Sequence, residues 1–128
     1  MKKLKGIDGK LDNAWSELVK LRSGMKCEYC GKTTHLNSHH IYSRSKRSTR
    51  WDVNNGICLC VGYHTFSSSF SAHKTPLEFT DWLEKYKGVN HIDKLRIKAN
   101  STSKLHQFEK ELLLKELNKE IEQLKQEQ

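Results

Sequence analysis

Residues 36 to 64 read LNSHHIYSRSKRSTRWDVNNGICLCVGYH. Two brief apolar-containing runs, Leu36 to Tyr42 and Gly56 to Cys60, are bounded by turn residues and predict two short strands. Between them lies a basic polar loop with Arg44, Lys46, Arg47 and Arg50, followed by the Asn54-Asn55 pair. Adjacent histidines at His39 and His40 end the first run, and His64 follows the second. Imidazoles can bind a metal or take up a proton, and guanidiniums can hold phosphate. Placed together, these groups are the equipment for hydrolysing a phosphodiester.

Just upstream, Cys27-Glu28-Tyr29-Cys30-Gly31 places two cysteines two residues apart, with a glycine able to take the positive φ of a tight turn. That is the shape of a zinc knuckle. The other cysteines, Cys58 and Cys60, lie on the second predicted strand. If that strand is extended they project from one face, so both could reach one zinc with Cys27 and Cys30. Cys58 is therefore the preferred fourth ligand, with Tyr63 and His73 as substitutes. Tyr63 stands where a second cysteine after Cys60 is expected. Two disulfides are the alternative. Met1-Lys2-Lys3 is not followed by an apolar run of signal-peptide length, which favours a reducing, cytoplasmic setting and hence a metal site. A redox role for Cys27 and Cys30 would need a strand before them and a helix starting at Cys27, and the pattern supplies neither.

Working outward, Leu11, Ala14, Trp15, Leu18, Val19 and Leu21 fit an amphipathic helix begun near Asp8 or Asp12 and ended at Gly24. Thr75-Pro76-Leu77-Glu78 has the form of a capping box. The helix it opens carries Phe79, Trp82, Leu83 and Tyr86 at core spacing and stops at Gly88. Asn90 can cap a further helix with Ile92, Leu95 and Ala99, and Asn100 or Ser103 can begin a long last one running to about Leu124. On that last helix Leu105, Phe108 and Leu112 form one stripe, and Leu113, Leu114, Leu117, Ile121 and Leu124 another about 150° around the cylinder. The first stripe is expected to lie on the body. The second needs the first helix or a partner chain, so a homodimer through the C-terminal helix is one expectation. The reading is an α+β chain: a small zinc-stapled hairpin core surrounded by helices over 1–100, and a C-terminal helix over 101–128.

The 128 residues suit one domain with a modest core. A net charge of +8 and a pI near 9.4 point to a polyanionic partner. Residues 101–128 hold five lysines against six glutamates, so the first hundred residues, with the histidines, carry +9. Mean hydropathy is −0.79 and no run could span a membrane, which excludes an integral membrane protein as an expectation.

Cys27-x-x-Cys30, Ser38-His39-His40-Ile41, Asn55, Leu59-Cys60 and His64 together resemble the HNH endonucleases, with Asn55 and His64 separated by the nine positions usual there. Arg50-Trp51-Asp52, and Thr75-Pro76-Leu77-Glu78-Phe79 with Trp82-Leu83, look like the phage recombination-endonuclease branch of that family. The resemblance covers roughly residues 10 to 100. It implies a ββα-metal hairpin, His40 as general base, His39 and His64 as ligands of a divalent cation, and Asn55 orienting the loop that carries His40. Tyr63 departs from the family's zinc cysteine.

The chemistry asks for these residue types on its own terms. Phosphodiester hydrolysis needs a positioned base and a cation to neutralise charge on the leaving oxygen. Histidine rather than carboxylate ligands suggest tolerance of Mn²⁺, Ni²⁺ or Co²⁺ beside Mg²⁺. Arg44, Lys46, Arg47 and Arg50 are expected to clamp DNA phosphates. The alternative is a zinc-stabilised nucleic-acid-binding module without cleavage, and the intact set His39, His40, Asn55 and His64 favours the enzyme.

Overall fold

A computed structural model describes residues 6–67, 70–102 and 105–127. Met1-Lys2-Lys3 and Ser103, one of the two starts expected for the last helix, lie outside them. The chain runs α1 (Ile7–Arg22), β1 (Leu36–His40), a single 3₁₀ turn (Val53–Asn55), β2 (Gly56–Cys60), a wide turn (Gly62–Phe66), α2 (Pro76–Lys87), α3 (Val89–Ala99) and α4 (Gln107–Gln126). It is a mixed helical chain with a small two-stranded antiparallel sheet and a long C-terminal helix. The register pairs Leu36 with Cys60, Ser38 with Cys58 and His40 with Gly56.

All five residues of β2 are buried, because the sheet is covered on both faces. One face meets α1, whose Leu11, Trp15 and Leu18 pack with Trp51 and Cys58. The other meets α2 and α3, where Ile57 and Leu59 join Phe79, Leu83 and Ile92. Each such side chain contributes roughly 1.5–3 kcal/mol when fully buried, so the hairpin is held mainly by its helices. Gly56 sets the closeness of the α1 face. A Cβ there would collide with Val19 and stand 2.9 Å from Trp15, so only glycine lets α1 press against the start of β2.

α4 seats its second stripe on α1, one of the two surfaces expected for it, and leaves most of the first exposed. Leu117 and Ile121 are buried against α1 in the same chain, with Leu113, Leu114 and Leu124 alongside. Phe108 and Leu112, expected on the body, are 69% and 45% exposed. Ion pairs from Lys110 to Asp8, Glu120 to Arg22 and Lys125 to Glu17 fix this seating. Of the two surfaces expected for the second stripe, α1 and a partner chain, the structure shows α1.

Two helix starts also differ from expectation. The Thr75 hydroxyl makes no cap bond; it donates to the Ser71 carbonyl and accepts from the Ser71 amide, closing the preceding turn instead. α4 begins at Gln107, where Glu109 accepts from the His106 amide at 3.1 Å. α3 starts one residue before Asn90, directly after Gly88, whose φ of 95° separates it from α2. No helix among the described residues is long and apolar enough to cross a membrane.

Candidate metal centres

At the end of β1, His39 turns toward α2 and His40 toward α1, and the two rings stay close enough for His40 to act on the His39 pKa. On the α2 face, His39 Nδ1 lies 3.1 Å from His64 Nε2, which lies 3.0 Å from His73 Nε2. His64 comes from the wide turn after β2, and the His73 backbone N–H donates a hydrogen bond to the His64 carbonyl at 3.2 Å. Phe79 of α2 sets its ring edge-on to His39 at 5.4 Å. The three rings form a group that could hold a metal ion. Burial presses the His39 pKa down to about 3, aided by His64, His73 and His40. Burial, and then His73, lowers that of His64. Both rings therefore keep their lone pairs at neutral pH, the state a cation requires. A cleft of about 360 Å³ opens beside His39, with Tyr42, Thr80, Glu84 and Arg96 on its walls.

On the α1 face, His40 stacks on Trp15 with centroids 3.8 Å apart and planes within 7°. The Trp15 indole donates to the Asp52 carbonyl at 2.8 Å, so the platform under His40 is itself fixed. Its seating depends on Gly56, the register partner of His40. His40 Nε2 is 2.9 Å from the Arg50 carbonyl. A carbonyl only accepts, so Nε2 carries the proton and Nδ1 the lone pair. Burial lowers the His40 pKa against the pull of that bond, again favouring the neutral ring.

Asn55 is fully buried. Its Oδ1 accepts from the Tyr42 amide at 2.7 Å, and its Nδ2 donates to the carbonyls of Tyr42 and Thr49 at 3.0 and 3.1 Å. One side chain thus ties both ends of the basic loop to the start of β2.

That loop divides by exposure. Arg50 grips Asp12 of α1 through Nε (3.0 Å) and Nη2 (2.7 Å), while Trp51 Nε1 donates to the same carboxylate at 2.8 Å and Arg44 at 3.2 Å. Burial alone would raise the Asp12 carboxyl, but bonds from Arg50 and Trp51 and the charges of Arg50 and Arg44 outweigh it and hold it below the usual carboxylate range. Arg50, with only 16% of its side chain exposed, is a structural tie rather than an open phosphate ligand. Arg44 and Arg47 are 62% and 56% exposed, and Lys46 is exposed as well. Replacing Asp12 by alanine strands Arg50 and the Trp51 indole, and is expected to cost about 2–4 kcal/mol of stability by urea unfolding. A loss under ~0.5 kcal/mol would mean the loop is anchored elsewhere.

The sulfur cluster contains Cys27, Cys30 and Cys60. Gly31, at φ 81°, closes the knuckle by donating to the Cys27 carbonyl at 2.8 Å. Backbone N–H groups of Cys30, Cys60 and Tyr29 face the Cys27 sulfur and lower its pKa, overcoming the effect of burial. Cys30 and Cys60 sulfurs are 3.8 Å apart, which matches the spacing of about 3.8 Å for two thiolates at tetrahedral zinc with Zn–S of 2.3 Å. Cys58 stands outside this group. Its thiol lies under α1 with a bond to Ser23, and burial pushes its pKa up. The reason is spacing: residues two apart on a strand are separated by about 6.6–7 Å. The knuckle sits at the Cys60 end, strapped to β2 by Glu28, whose carboxylate accepts from the Cys58 amide at 2.8 Å. His73 belongs to the imidazole group, and the Tyr63 ring packs edge-on against Tyr29 and Phe70.

Sequence reasoning held His73 only in reserve and did not single out Trp15, Asp12 or Asn37 for the site. Asn37 Nδ2 is 3.1 Å from His64 Nδ1. The chain matches no family model, no curated protein and no solved structure.

Proposed function

We propose that the protein is a metal-dependent endonuclease of the ββα-metal kind that hydrolyses DNA phosphodiester bonds. The observation that carries this reading is the convergence of His39, His64 and His73 at one end of a hairpin whose next residue, His40, has one nitrogen committed to a carbonyl and the other available as a base. Three imidazoles suit Ni²⁺ or Co²⁺ and admit Mn²⁺, whereas Mg²⁺ would depend on water and phosphate oxygens for the rest of its coordination. Such a cation, held by the three rings, would neutralise charge developing on the leaving oxygen. His40 takes the proton of the attacking water on Nδ1, and the Arg50 carbonyl stabilises the resulting imidazolium through Nε2–H. Asn55 keeps Tyr42 and the loop in register so that Arg50 presents that carbonyl. Cys27, Cys30 and Cys60 hold a structural zinc in this reading, consistent with a cytoplasmic setting where thiols stay reduced.

Arg44, Lys46 and Arg47 supply phosphate contacts. Replacing Arg44 and Arg47 by alanine should weaken DNA binding similarly across sequences and reduce the slope of log K against log salt by about 1–2. An unchanged slope with altered sequence preference would assign them to base reading.

Incubation with supercoiled plasmid in Mg²⁺, Mn²⁺ or EDTA tests the reading. Cleavage in either metal and none in EDTA supports it; tight binding with intact plasmid would favour a nucleic-acid-binding module. With one His39, His40, Asn55 and His64 set per chain and the α4 stripe covered by α1, nicked circles should appear before linear product. Linear product without a nicked intermediate would require paired centres.

A further inference from the structure

Asn37 lies on β1 two residues before His39, so both point to the α2 face. Its amide nitrogen is 3.1 Å from His64 Nδ1, and the Thr65 hydroxyl is 3.4 Å from the same atom. The other nitrogen of that ring, Nε2, faces His39 Nδ1 at 3.1 Å and His73 Nε2 at 3.0 Å. A neutral imidazole carries one proton. If the proton sits on Nε2, His64 can only donate toward its two neighbours. If it sits on Nδ1, Nε2 has a lone pair beside theirs, and an acceptor is needed on the Nδ1 side.

We propose that Asn37 is that acceptor: a positioning residue that turns its side-chain oxygen to His64 Nδ1–H and so fixes the tautomer in which His64 can ligate a divalent cation. An amide suits the task because its oxygen and nitrogen exchange places by a half-turn of the side chain. The nitrogen-in orientation bonds to an unprotonated Nδ1, and the oxygen-in orientation to a protonated one. Metal-bound imidazoles commonly need such a partner for the second nitrogen, and losing it weakens binding 10–100-fold. Thr65 can share the proton but, at 3.4 Å, is the more distant acceptor. The inference rests on the reading that His39, His64 and His73 hold the cation.

The test uses full-length protein carrying one zinc per chain, held by the thiols, and Co²⁺ as the probe, without DNA. Cobalt titration is followed by its d–d absorbance, with absence of new thiolate charge-transfer bands showing that the cysteines keep their zinc. The parent should bind one Co²⁺. Asn37→Leu, of similar size and without hydrogen bonding, should bind 10–100-fold more weakly, whereas Asn37→Asp, which can only accept, should bind at least as tightly as the parent. Long-range ¹H–¹⁵N spectra of the parent loaded with diamagnetic Mg²⁺ should show the His64 proton on Nδ1. Equal Co²⁺ affinity in parent and Asn37→Leu, equal losses in Asn37→Leu and Asn37→Asp, or a proton on Nε2 would overturn the role of Asn37. A parent that takes up no Co²⁺ outside the thiols would instead overturn the cation site itself, and this inference with it.

Discussion

Replacing His40 by alanine is expected to slow DNA cleavage by roughly 10²–10⁴-fold, the usual worth of a general base. DNA affinity and zinc content should stay near those of the parent. The expectation follows from the ring's setting, not only from its type. The bond to the Arg50 carbonyl engages Nε2 and leaves the lone pair on Nδ1, and the Trp15 stack holds the ring in plane. Because the stack itself contributes about 0.5–1.5 kcal/mol, alanine should also lower stability slightly. His40→Gln keeps bulk over Trp15 without a comparable base, so it should be as inactive but more stable than His40→Ala. Retention of a tenth or more of the cleavage rate by either variant, with the fold intact, would remove His40 from the chemistry.

The second large effect concerns the thiols, and it separates Cys60 from Cys58. Cys60→Ser should lose zinc and much of the folded structure, because formation of a structural zinc site releases on the order of 10 kcal/mol that the small core cannot replace. Cys58→Ser should keep its zinc and cost only about 1–3 kcal/mol for a hydroxyl buried under α1. Metal analysis after mild chelation, with circular dichroism of both variants, distinguishes them. Zinc loss in Cys58→Ser with zinc retained in Cys60→Ser would reverse the assignment.

How much of this was legible beforehand depended on the range of each interaction. The hairpin strands, α1 and the end of α2 at Gly88 are written in local signals: short apolar-containing runs bounded by turn residues, amphipathic spacing and a glycine taking positive φ. The pairing of His39 with His64 came from a family resemblance, and the structure brings those two rings together with His73 added. What sequence could not reveal is long-range. Arg50 looks like any loop arginine until Asp12, thirty-eight residues away, is seen to accept from it. Cys58 and Cys60 share a face by parity, yet parity says nothing about which end of β2 the knuckle meets. The two stripes of α4 differ in sequence by angle alone, and which of them meets the body is decided by α1, whose Leu11, Trp15 and Leu18 share a core with Leu117 and Ile121. Thr75 had the residue types of a capping box, but Ser71 competes for its hydroxyl and wins.

The central claim is that one chain carries two metal centres of different chemistry, an imidazole centre for hydrolysis and a thiolate centre for folding. Anomalous diffraction from crystals of the zinc-loaded protein soaked in Mn²⁺ tests it most directly, with data collected at the absorption edges of both metals. The account expects a zinc peak among Cys27, Cys30 and Cys60 and a separate manganese peak among His39, His64 and His73. Manganese bound elsewhere, or no manganese at the three imidazoles in crystals that diffract well, would contradict it.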